Sequence, residues 1–339
     1  MLAAQLHRNG LDGLTVGSSA PPSLAPGDVL VRVATVGVNQ LDLNVISGIG
    51  PGAAAQLPRT LGIDPAGVII GQGAAVPGDR IGERVVVKPN IPCGECDRCA
   101  RGAEGDCPRQ SIIGVHRDGG AAELVGVPSD NAFAIGDLDF ALATAAVHSV
   151  PIALHTIHAA GGIAPGERVL VTGASGAVGR AAAELAKHFG GEVVAMTRSA
   201  VPLGIAGIRT LSYVSLEDMS GILAAVAPDG FDVAIDASGH AGVTAVAVAA
   251  LGWGGRLGFC AASVDAELRI DARDVYLKRK SIRGTASADF AEVAEAIGLV
   301  RSGAVSPQIG VRMPLTAISD AYRDFGARAT PGKVIIDVG

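Results

Sequence analysis

The sequence predicts an α/β protein in which a doubly wound parallel sheet follows a mostly β domain. Up to about Ala141, the chain is rich in Gly and Pro and has short β-branched runs such as Val29–Val36, which is typical of an irregular β domain. From Val169 onward, short apolar runs alternate with Ala-rich helical segments, as in βαβ units on a parallel sheet. The length of 339 residues, 49% of them hydrophobic, suits about two domains with substantial cores.

The βα units can be followed in order along the second domain. Each predicted strand is a short apolar run, and each predicted helix is apolar at helical spacing. The predicted strands are 169–172, 193–197, 233–236, 256–259 and 281–283, and the predicted helices are 177–189, 219–226 and 243–251. A helix over 290–301 and a strand over 334–338 then return to the first domain. We therefore predict domains over 1–150 and 151–285, with a return over 286–339.

Composition and charge exclude several classes of partner. The net charge of −6 and the pI near 5.6 disfavour binding to nucleic acid or anionic lipid, because both require basic patches. The mean hydropathy of +0.40 comes largely from Ala and Val, and we expect no segment of the roughly 18 to 20 apolar residues that spans a bilayer. Met1–Gly10 lacks the basic head and apolar core of a signal peptide. We therefore expect a cytoplasmic protein that acts on a small molecule.

A glycine-rich turn follows the first strand of the second domain. The chain reads VLVTGASGAVG up to Gly179, so a buried strand runs through Gly173 and Gly176 into a helix. A pyrophosphate group needs this arrangement, because the backbone approaches it closely and the helix N–H groups point at the anion. The common fingerprint has glycine where this chain has Ala174. A simple tight turn would use the same glycines, but the surrounding βα units favour nucleotide binding.

The end of the next strand distinguishes the two nicotinamide cofactors. NAD-binding domains typically have an acidic residue there for the ribose 2′-hydroxyl, whereas this chain has Thr197, Arg198 and Ser199. The guanidinium of Arg198 offers a fork of donors for a 2′-phosphate. The alternative is a solvated surface arginine. The pattern favours NADPH over NADH.

Four cysteines lie within fifteen residues of the first domain. Their spacing is C-x2-C-x2-C-x7-C, and they are Cys93, Cys96, Cys99 and Cys107. Four thiolates this close enclose one structural Zn²⁺ with no open position. Disulfides and an iron–sulfur cluster are the alternatives, but disulfides require an oxidising compartment. We predict a zinc lobe over residues 90–110, and we interpret Cys260 as a buried small hydrophobe.

Together these features resemble the medium-chain dehydrogenase/reductase superfamily, which includes zinc alcohol dehydrogenases and quinone oxidoreductases. The resemblance covers essentially the whole chain. The matching segments are GVNQLD at 37–42, LGIDPAG at 61–67, APGERVLV at 164–171 and GKVIID at 332–337. The resemblance implies a GroES-like catalytic domain, formed by both chain ends around an inserted Rossmann coenzyme domain, and homodimers or homotetramers.

Alcohol dehydrogenases of this superfamily carry a second, catalytic zinc. The resemblance places its ligands at positions 39, 63 and 148, or at 149 if the alignment shifts by one residue. This chain has Asn39, Ile63 and His148 there. Isoleucine cannot ligate a metal, and the amide oxygen of asparagine is a poor zinc ligand. The sequence therefore predicts that this protein has no catalytic zinc.

The resemblance also assigns candidate catalytic residues. Asn39 and Asp42 match the quinone oxidoreductase signature, and the amide of Asn39 could donate a hydrogen bond to a developing enolate. Asp64 matches the acidic residue of the second signature and could orient a polar group in the cleft. His148 is a candidate proton donor. The alternatives are turn and cap chemistry for Asn39 and Asp42, a capping or salt-bridge role for Asp64, and packing for His148.

The cofactor contacts implied by the resemblance extend over several loops. Gly173, Ser175, Gly176, Ala177, Val178 and Gly179 fall on the pyrophosphate, and Thr197, Arg198 and Ser199 fall on the adenosine ribose or its phosphate. Ser238 and Ala261 fall near the nicotinamide ribose, and Thr285 falls beside the nicotinamide. Lys333 matches a basic residue that often pairs with the pyrophosphate, where a mobile ammonium makes electrostatic sense.

These observations favour an NADPH-dependent reductase of conjugated carbonyls, enoyl thioesters or quinones, with one structural zinc and no catalytic metal. Hydride addition to an activated C=C bond or quinone ring needs only hydrogen bonds to stabilise the enolate. The alternatives are an alcohol dehydrogenase with a rewired metal site at His148 and Asp64, and a non-catalytic NADPH-binding protein.

Overall fold

The computed structural model describes residues 1–327 and 331–339, which divide into two compact units. The first unit contains both ends of the chain, namely Met1–His148, Asp289–Gly298 and Pro307–Gly339. The second contains Ser149–Ala288 and Leu299–Ser306. The segment Leu299–Ser306 thus lies in the second unit, whereas the sequence analysis assigned the whole of 286–339 to the first domain.

The N-terminal part of the first unit is mostly β. Its strands are β1 (Leu2–Leu6), β2 (Leu14–Ser18), β3 (Asp28–Gly37), β4 (Arg59–Thr60), β5 (Ala66–Gln72), β6 (Arg84–Val87), β7 (Asn90–Ile91), β8 (Ser111–Ile112), β9 (Leu124–Pro128) and β10 (Ala132–Ala134). Its helices are α1 (Gln40–Ser47), α2 (Asp97–Ala100) and α3 (Phe140–Val147). Val29, Val31 and Val33 of β3 are buried at alternate positions, which points one face of this strand into the core.

The second unit alternates strands and helices. It contains α4 (Ser149–Ala159), β11 (Arg168–Thr172), α5 (Ala177–His188), β12 (Glu192–Thr197), β13 (Arg209–Ser212), α6 (Leu216–Val226), β14 (Phe231–Asp236), α7 (Ala241–Ala249), β15 (Leu251–Phe259), α8 (Ala272–Leu277) and β16 (Ser281–Gly284). Its strands pair in parallel in the order β13-β12-β11-β14-β15-β16. This is the order of a doubly wound Rossmann sheet, so the predicted fold class is confirmed.

The remaining elements lie in the first unit, except for the last three residues of the helix that begins at Phe290, which belong to the second unit. They are α9 (Phe290–Arg301), β17 (Ile309–Pro314), α10 (Ile318–Gly326) and β18 (Lys333–Asp337). The main sheet of the first unit has the order β10-β6-β5-β3-β18-β17, with β9 also paired to β3. The last strand, β18, therefore lies between β3 and β17, with Val334, Ile335 and Ile336 buried. Because β18 has a strand on each side, the positions of the residues at its start are well defined.

Helices α3 and α4 follow each other almost without a break. Together they form a largely apolar stretch over Phe140–Ala159 that is 20 residues long. By length and composition this stretch could cross a bilayer, so our expectation that no segment was long enough was wrong. Its most apolar window is 78% buried within the protein, as in a core helix of a globular domain.

Candidate functional site

A buried ion pair lies in the first unit. The ammonium of Lys333, at the start of β18, lies 2.7 Å from Oδ2 of Asp64, which precedes β5. It also donates a hydrogen bond to Oδ1 of Asn39, which precedes α1. The Asp64 side chain has no exposed surface, and the Lys333 side chain is 7% exposed. Each charge offsets the cost of burying the other, since an isolated buried ion is strongly unfavourable.

Gly37 makes this close approach possible. Its N–H donates to Oδ1 of Asp64 at 2.8 Å, and it pairs with Ile335 in the β3–β18 register. A Cβ atom at Gly37 would lie 2.3 Å from Cε of Lys333 and 2.7 Å from Oδ2 of Asp64. The aliphatic part of the Lys333 side chain therefore packs directly on the backbone of Gly37, where there is no room for a side chain.

Asn39 is fully engaged in the same cluster. Its Nδ2 donates to Oδ2 of Asp64 at 2.9 Å and to the carbonyl of Gly37 at 3.3 Å, while its Oδ1 accepts from Lys333. A side-chain amide has two N–H donors, and both find partners here. This differs from our expectation of a free donor for a substrate oxygen. The observed contacts make Asn39 a residue that positions Lys333 and Asp64.

The carboxylate of Asp42 links the start of helix α1 to the segment before β5 by hydrogen bonds. Its Oδ2 accepts from the N–H of Asn39 at 2.9 Å, and its Oδ1 accepts from the N–H of Gly62 at 3.1 Å. Burial, together with the smaller effect of the nearby charge of Asp64, raises the pKa of Asp42 to about 7. This geometry favours the capping role that we considered as an alternative to catalysis.

His148 closes helix α3. Its Nδ1 is buried and has no hydrogen-bond partner within the described part of the chain. Burial, together with the smaller effect of the positive charge of Lys333, lowers the pKa of the imidazole to about 4. The ring is therefore neutral at physiological pH, which disfavours the role of charged proton donor that the sequence suggested.

These residues do not fit a catalytic zinc. Catalytic zinc sites use three protein ligands, but the oxygens of Asn39 and Asp64 already accept hydrogen bonds from the ammonium of Lys333. Ile63 is fully buried and has no ligand atom. The imidazole of His148 is then the one candidate left among these positions. A divalent ion beside Asp64 would also be repelled by the lysine charge.

The cysteine lobe, by contrast, fits a structural zinc. The Sγ atoms of Cys93, Cys96, Cys99 and Cys107 all lie within 4.8 Å of one another. The Cys96–Cys99 separation is 3.5 Å and the Cys93–Cys99 separation is 4.0 Å. Tetrahedral coordination with Zn–S bonds of about 2.3 Å requires sulfur separations of about 3.8 Å. The four thiolates can therefore hold one zinc in a closed site.

The glycine-rich turn of the second unit has the geometry that a pyrophosphate needs. Gly173 has a φ of 68°, and a Cβ at Gly179 would lie 2.3 Å from the carbonyl oxygen of Gly173. Helix α5 begins at Ala177 without a side-chain cap, so its first N–H groups are left for a ligand. Ser175 and Gly176 are exposed beside it, and Val178 lies in the first turn of α5.

The other predicted cofactor residues follow the carboxyl ends of strands in the same sheet. Thr197 ends β12, and the exposed Arg198 and Ser199 come directly after it; Ser238, Ala261 and Thr285 follow β14, β15 and β16. In open α/β sheets, ligands bind outside this edge. Lys333 is the exception, because it lies in the first unit and its ammonium is buried against Asp64 rather than mobile.

Sequence reasoning missed Asp236, which organises this edge. The carboxylate is fully buried and accepts from Oγ1 of Thr172 at 2.6 Å, from the N–H of Ser238 at 2.8 Å and from Oγ1 of Thr244. These hydrogen bonds connect β11, β14 and α7 near Ser238, which is predicted to lie at the ribose. The acidic residue at the end of a predicted strand was the signal that could have identified it. The thiol of Cys260 lies nearby, and burial raises its pKa to about 12, as expected of an inert cysteine.

Comparison with known proteins gives two family matches. Residues 25–137 match the alcohol dehydrogenase GroES-like domain, and residues 177–302 match the zinc-binding dehydrogenase family. A curated relative, L-galactonate-5-dehydrogenase of Escherichia coli, is 30% identical over 88% of each chain. The cobalt- and zinc-bound alcohol dehydrogenase of Pyrobaculum aerophilum superposes with a TM-score of 0.89 at 31% identity, covering 100% of this chain and 99% of the other. A zinc-binding dehydrogenase of Sinorhizobium meliloti bound to NADP gives 0.86 at 27% identity, covering 99% of both.

Proposed function

The chain belongs to the medium-chain dehydrogenase/reductase superfamily, and we propose that it is an NADPH-dependent reductase of conjugated carbonyls, enoyl thioesters or quinones. One observation carries the proposal. Where a zinc-dependent member needs metal ligands, this chain has the ammonium of Lys333 held by Asn39 and Asp64. Reduction of an activated C=C bond does not require a metal to polarise an alkoxide.

The nucleotide would be held by the second unit. Bound NADPH supplies a hydride. The glycine turn at Gly173–Gly179 leaves backbone space and uncapped N–H groups for the pyrophosphate. The buried carboxylate of Asp236 accepts a hydrogen bond from the N–H of Ser238 and so holds the backbone of Ser238 at the predicted ribose position. Arg198 lies at the end of β12 with no acidic residue in the sequence beside it, which supports a cofactor with a 2′-phosphate.

Exchange of Arg198 tests the cofactor. In Arg198→Ala we expect the KM for NADPH to rise about tenfold or more while the KM for NADH stays within about twofold, because a hydrogen bond to a charged group contributes about 1.5–3 kcal/mol. Arg273→Ala, which removes another exposed arginine of the second unit, is the matched control. A wild-type enzyme that uses NADH as well as NADPH would contradict the NADPH assignment.

A second candidate function is oxidation of a hydroxyl group, because the E. coli relative is named as a dehydrogenase of a hydroxy acid. Purified protein should be assayed in both directions, with NADPH on quinones, 2-enones and 2-enoyl thioesters, and with NADP⁺ or NAD⁺ on alcohols and sugar acids. Reduction with one zinc per subunit supports the proposal. Oxidation of alcohols with two zincs supports the second candidate, and tight NADPH binding without turnover supports a non-catalytic role.

A further inference from the structure

The ammonium of Lys333 has a hydrogen-bonding capacity that the cluster does not use. A lysine ammonium carries three N–H donors. Two of them are directed at Asp64 and Asn39, and the third has no acceptor among residues 1–327 and 331–339. The Lys333 side chain is 7% exposed, whereas the side chain of its carboxylate partner Asp64 has no exposed surface.

The position of this ammonium is fixed from several sides. Strand β18 pairs with β3, with Ile335 opposite Gly37 and Ile336 opposite Val36. This register sets the position of the Lys333 backbone, from which the side chain extends. The missing side chain of Gly37 leaves room for the stem. Asp64 is itself held by the N–H of Gly37 at 2.8 Å. A cation held in this way requires little reorganisation when negative charge develops beside it.

The other polar groups near the cluster are less suited than Lys333 to interact with developing negative charge. Both amide protons of Asn39 are engaged, and the oxygens of Asp42 accept from backbone N–H groups. The imidazole of His148 is neutral at physiological pH, although its buried Nδ1 has no partner in the described chain and so could meet a polar ligand atom. Lys333 is therefore the one cation in this group that has a donor to spare within the described residues.

We propose that Lys333 is a catalytic residue whose free N–H binds the carbonyl oxygen of the substrate and stabilises the enolate that forms on reduction, taking the part that a metal ion plays in zinc-dependent relatives. This inference rests on the proposed function. Bound NADPH would supply a hydride from the reduced nicotinamide, so that a C–H bond forms at the carbon β to the carbonyl and NADP⁺ remains. The C=C electron pair moves onto the oxygen beside Lys333, and a solvent proton then adds to the α-carbon.

The test removes the charge without leaving its partner buried and unpaired. In the double variant Lys333→Met with Asp64→Asn, both buried charges are replaced by neutral side chains of similar size, a type of change that folds tolerate. We expect kcat with 2-enones to fall about 100-fold or more, because loss of one oxyanion donor typically has this effect. The KM for NADPH should stay within about twofold, since the other predicted nucleotide contacts lie in the second unit and the ammonium of Lys333 is held by Asp64 and Asn39.

Lys280→Met is the matched control. Lys280 is also a buried lysine paired with a carboxylate, at 2.6 Å from Asp274, but it lies in the second unit and caps the carbonyls of Val248 and Ala249. The Lys280→Met variant should have a lower unfolding midpoint than the wild type, but its kcat should not fall 100-fold. A double variant at 333 and 64 that is folded and keeps kcat within about threefold would overturn the proposal.

A second readout does not depend on turnover. 4-Nitrophenol, whose ionised form absorbs visible light, serves as a probe of an enolate oxygen. Its ionisation constant when bound should be about tenfold or more higher in the wild type than in the double variant, because a nearby cation lowers an acid's pKa by one unit or more. Equal ionisation in both proteins would overturn the role of Lys333. If the wild type reduces none of the substrates but still ionises the phenol, the proposed function fails while the binding role stands.

Discussion

Gly37 has two structural roles. Its N–H donates a hydrogen bond to Asp64, and the absence of a side chain leaves room for the aliphatic part of Lys333. In Gly37→Ala the new Cβ would meet Cε of Lys333 at 2.3 Å. We expect a loss of about 1–3 kcal/mol in the free energy of unfolding, typical of overpacking, together with a loss of kcat from the displaced ammonium. Urea unfolding and steady-state kinetics measure the two effects.

The control is Gly298→Ala. Gly298 lies within α9, and a Cβ there would meet nothing within 4 Å. Alanine favours a helix over glycine by about 1 kcal/mol, so this variant should be as stable as the wild type or more stable. Equal behaviour of the two variants would show that the space at Gly37 does not matter.

Asp42 gives a pH dependence with a definite sign. Its pKa is about 7 in the fold against 3.8 in the unfolded chain, so the folded state binds this proton more tightly. Its contribution to stability is complete below about pH 4 and is lost as the pH rises towards 7, by up to about 1.4 kcal/mol per pH unit. Asp42→Asn should be less stable at pH 4, because an amide cannot accept both backbone N–H groups, but should lose less stability between pH 4 and pH 8.

Urea unfolding over this pH range measures the slope for Asp42. Asp12→Asn is the control, because the Asp12 side chain is 68% exposed and the variant should keep the slope of the wild type. An unchanged slope in Asp42→Asn would show that another group is responsible.

The cluster around Lys333 also shows what a sequence pattern cannot supply. The family resemblance implied Asn39 and Asp64 as candidate site residues, but it assigned the ammonium of Lys333 to the pyrophosphate. Lys333 and Asp64 are 269 residues apart, and they meet because β18 is inserted beside β3. Strand order and register are long-range properties, so no local spacing indicates this contact.

At the scale of elements, the buried strands and the glycine turn were predicted because each has a local signature. Helix α5 was predicted to begin at Ala177, as it does, and β14 was predicted to end at Asp236, as it does. Some elements, including β13 and α10, were not predicted. The four residues of β13 are partly or fully exposed on the sheet edge, and α10 buries a narrow stripe at Ile318, Ala321 and Tyr322 among charged residues. Such elements depend on tertiary packing more than on pattern.

The predicted zinc lobe, residues 90–110, is connected to the start of α9 by two hydrogen bonds. The N–H of Gly105 donates to Asp289 at 2.7 Å, and the N–H of Phe290 donates to Glu104 at 3.3 Å. Cys96→Ser should reduce bound zinc from one per subunit to nearly none and lower the unfolding midpoint, because the closed four-thiolate site is lost. Metal analysis and thermal unfolding measure this.

Cys260→Ser is the control for the lobe, because Cys260 lies in the second unit and should leave the zinc content unchanged. Zinc retained at one per subunit in Cys96→Ser would place the metal elsewhere.

At the scale of the whole molecule, the first unit is made from both ends of the chain, and β18 occupies the middle of its sheet. Asn39 and Lys333 meet across 294 residues of sequence. The predicted nucleotide site is instead formed by the continuous segment Ser149–Ala288. Damage to the central strand should therefore affect stability and catalysis while sparing the predicted contacts to the nucleotide.

Ile335→Ala tests this separation. Ile335 is fully buried in β18, and its truncation should reduce the free energy of unfolding by about 2–5 kcal/mol, while the Kd for NADP⁺ stays within about twofold. Ile309→Ala, on the edge strand β17 where the residue is partly buried, should cost less. Urea unfolding and calorimetric titration with NADP⁺ at a temperature where both variants are folded provide the comparison. A tenfold weaker Kd in Ile335→Ala would show that nucleotide binding depends on the first unit, because the second unit would then not form the site alone.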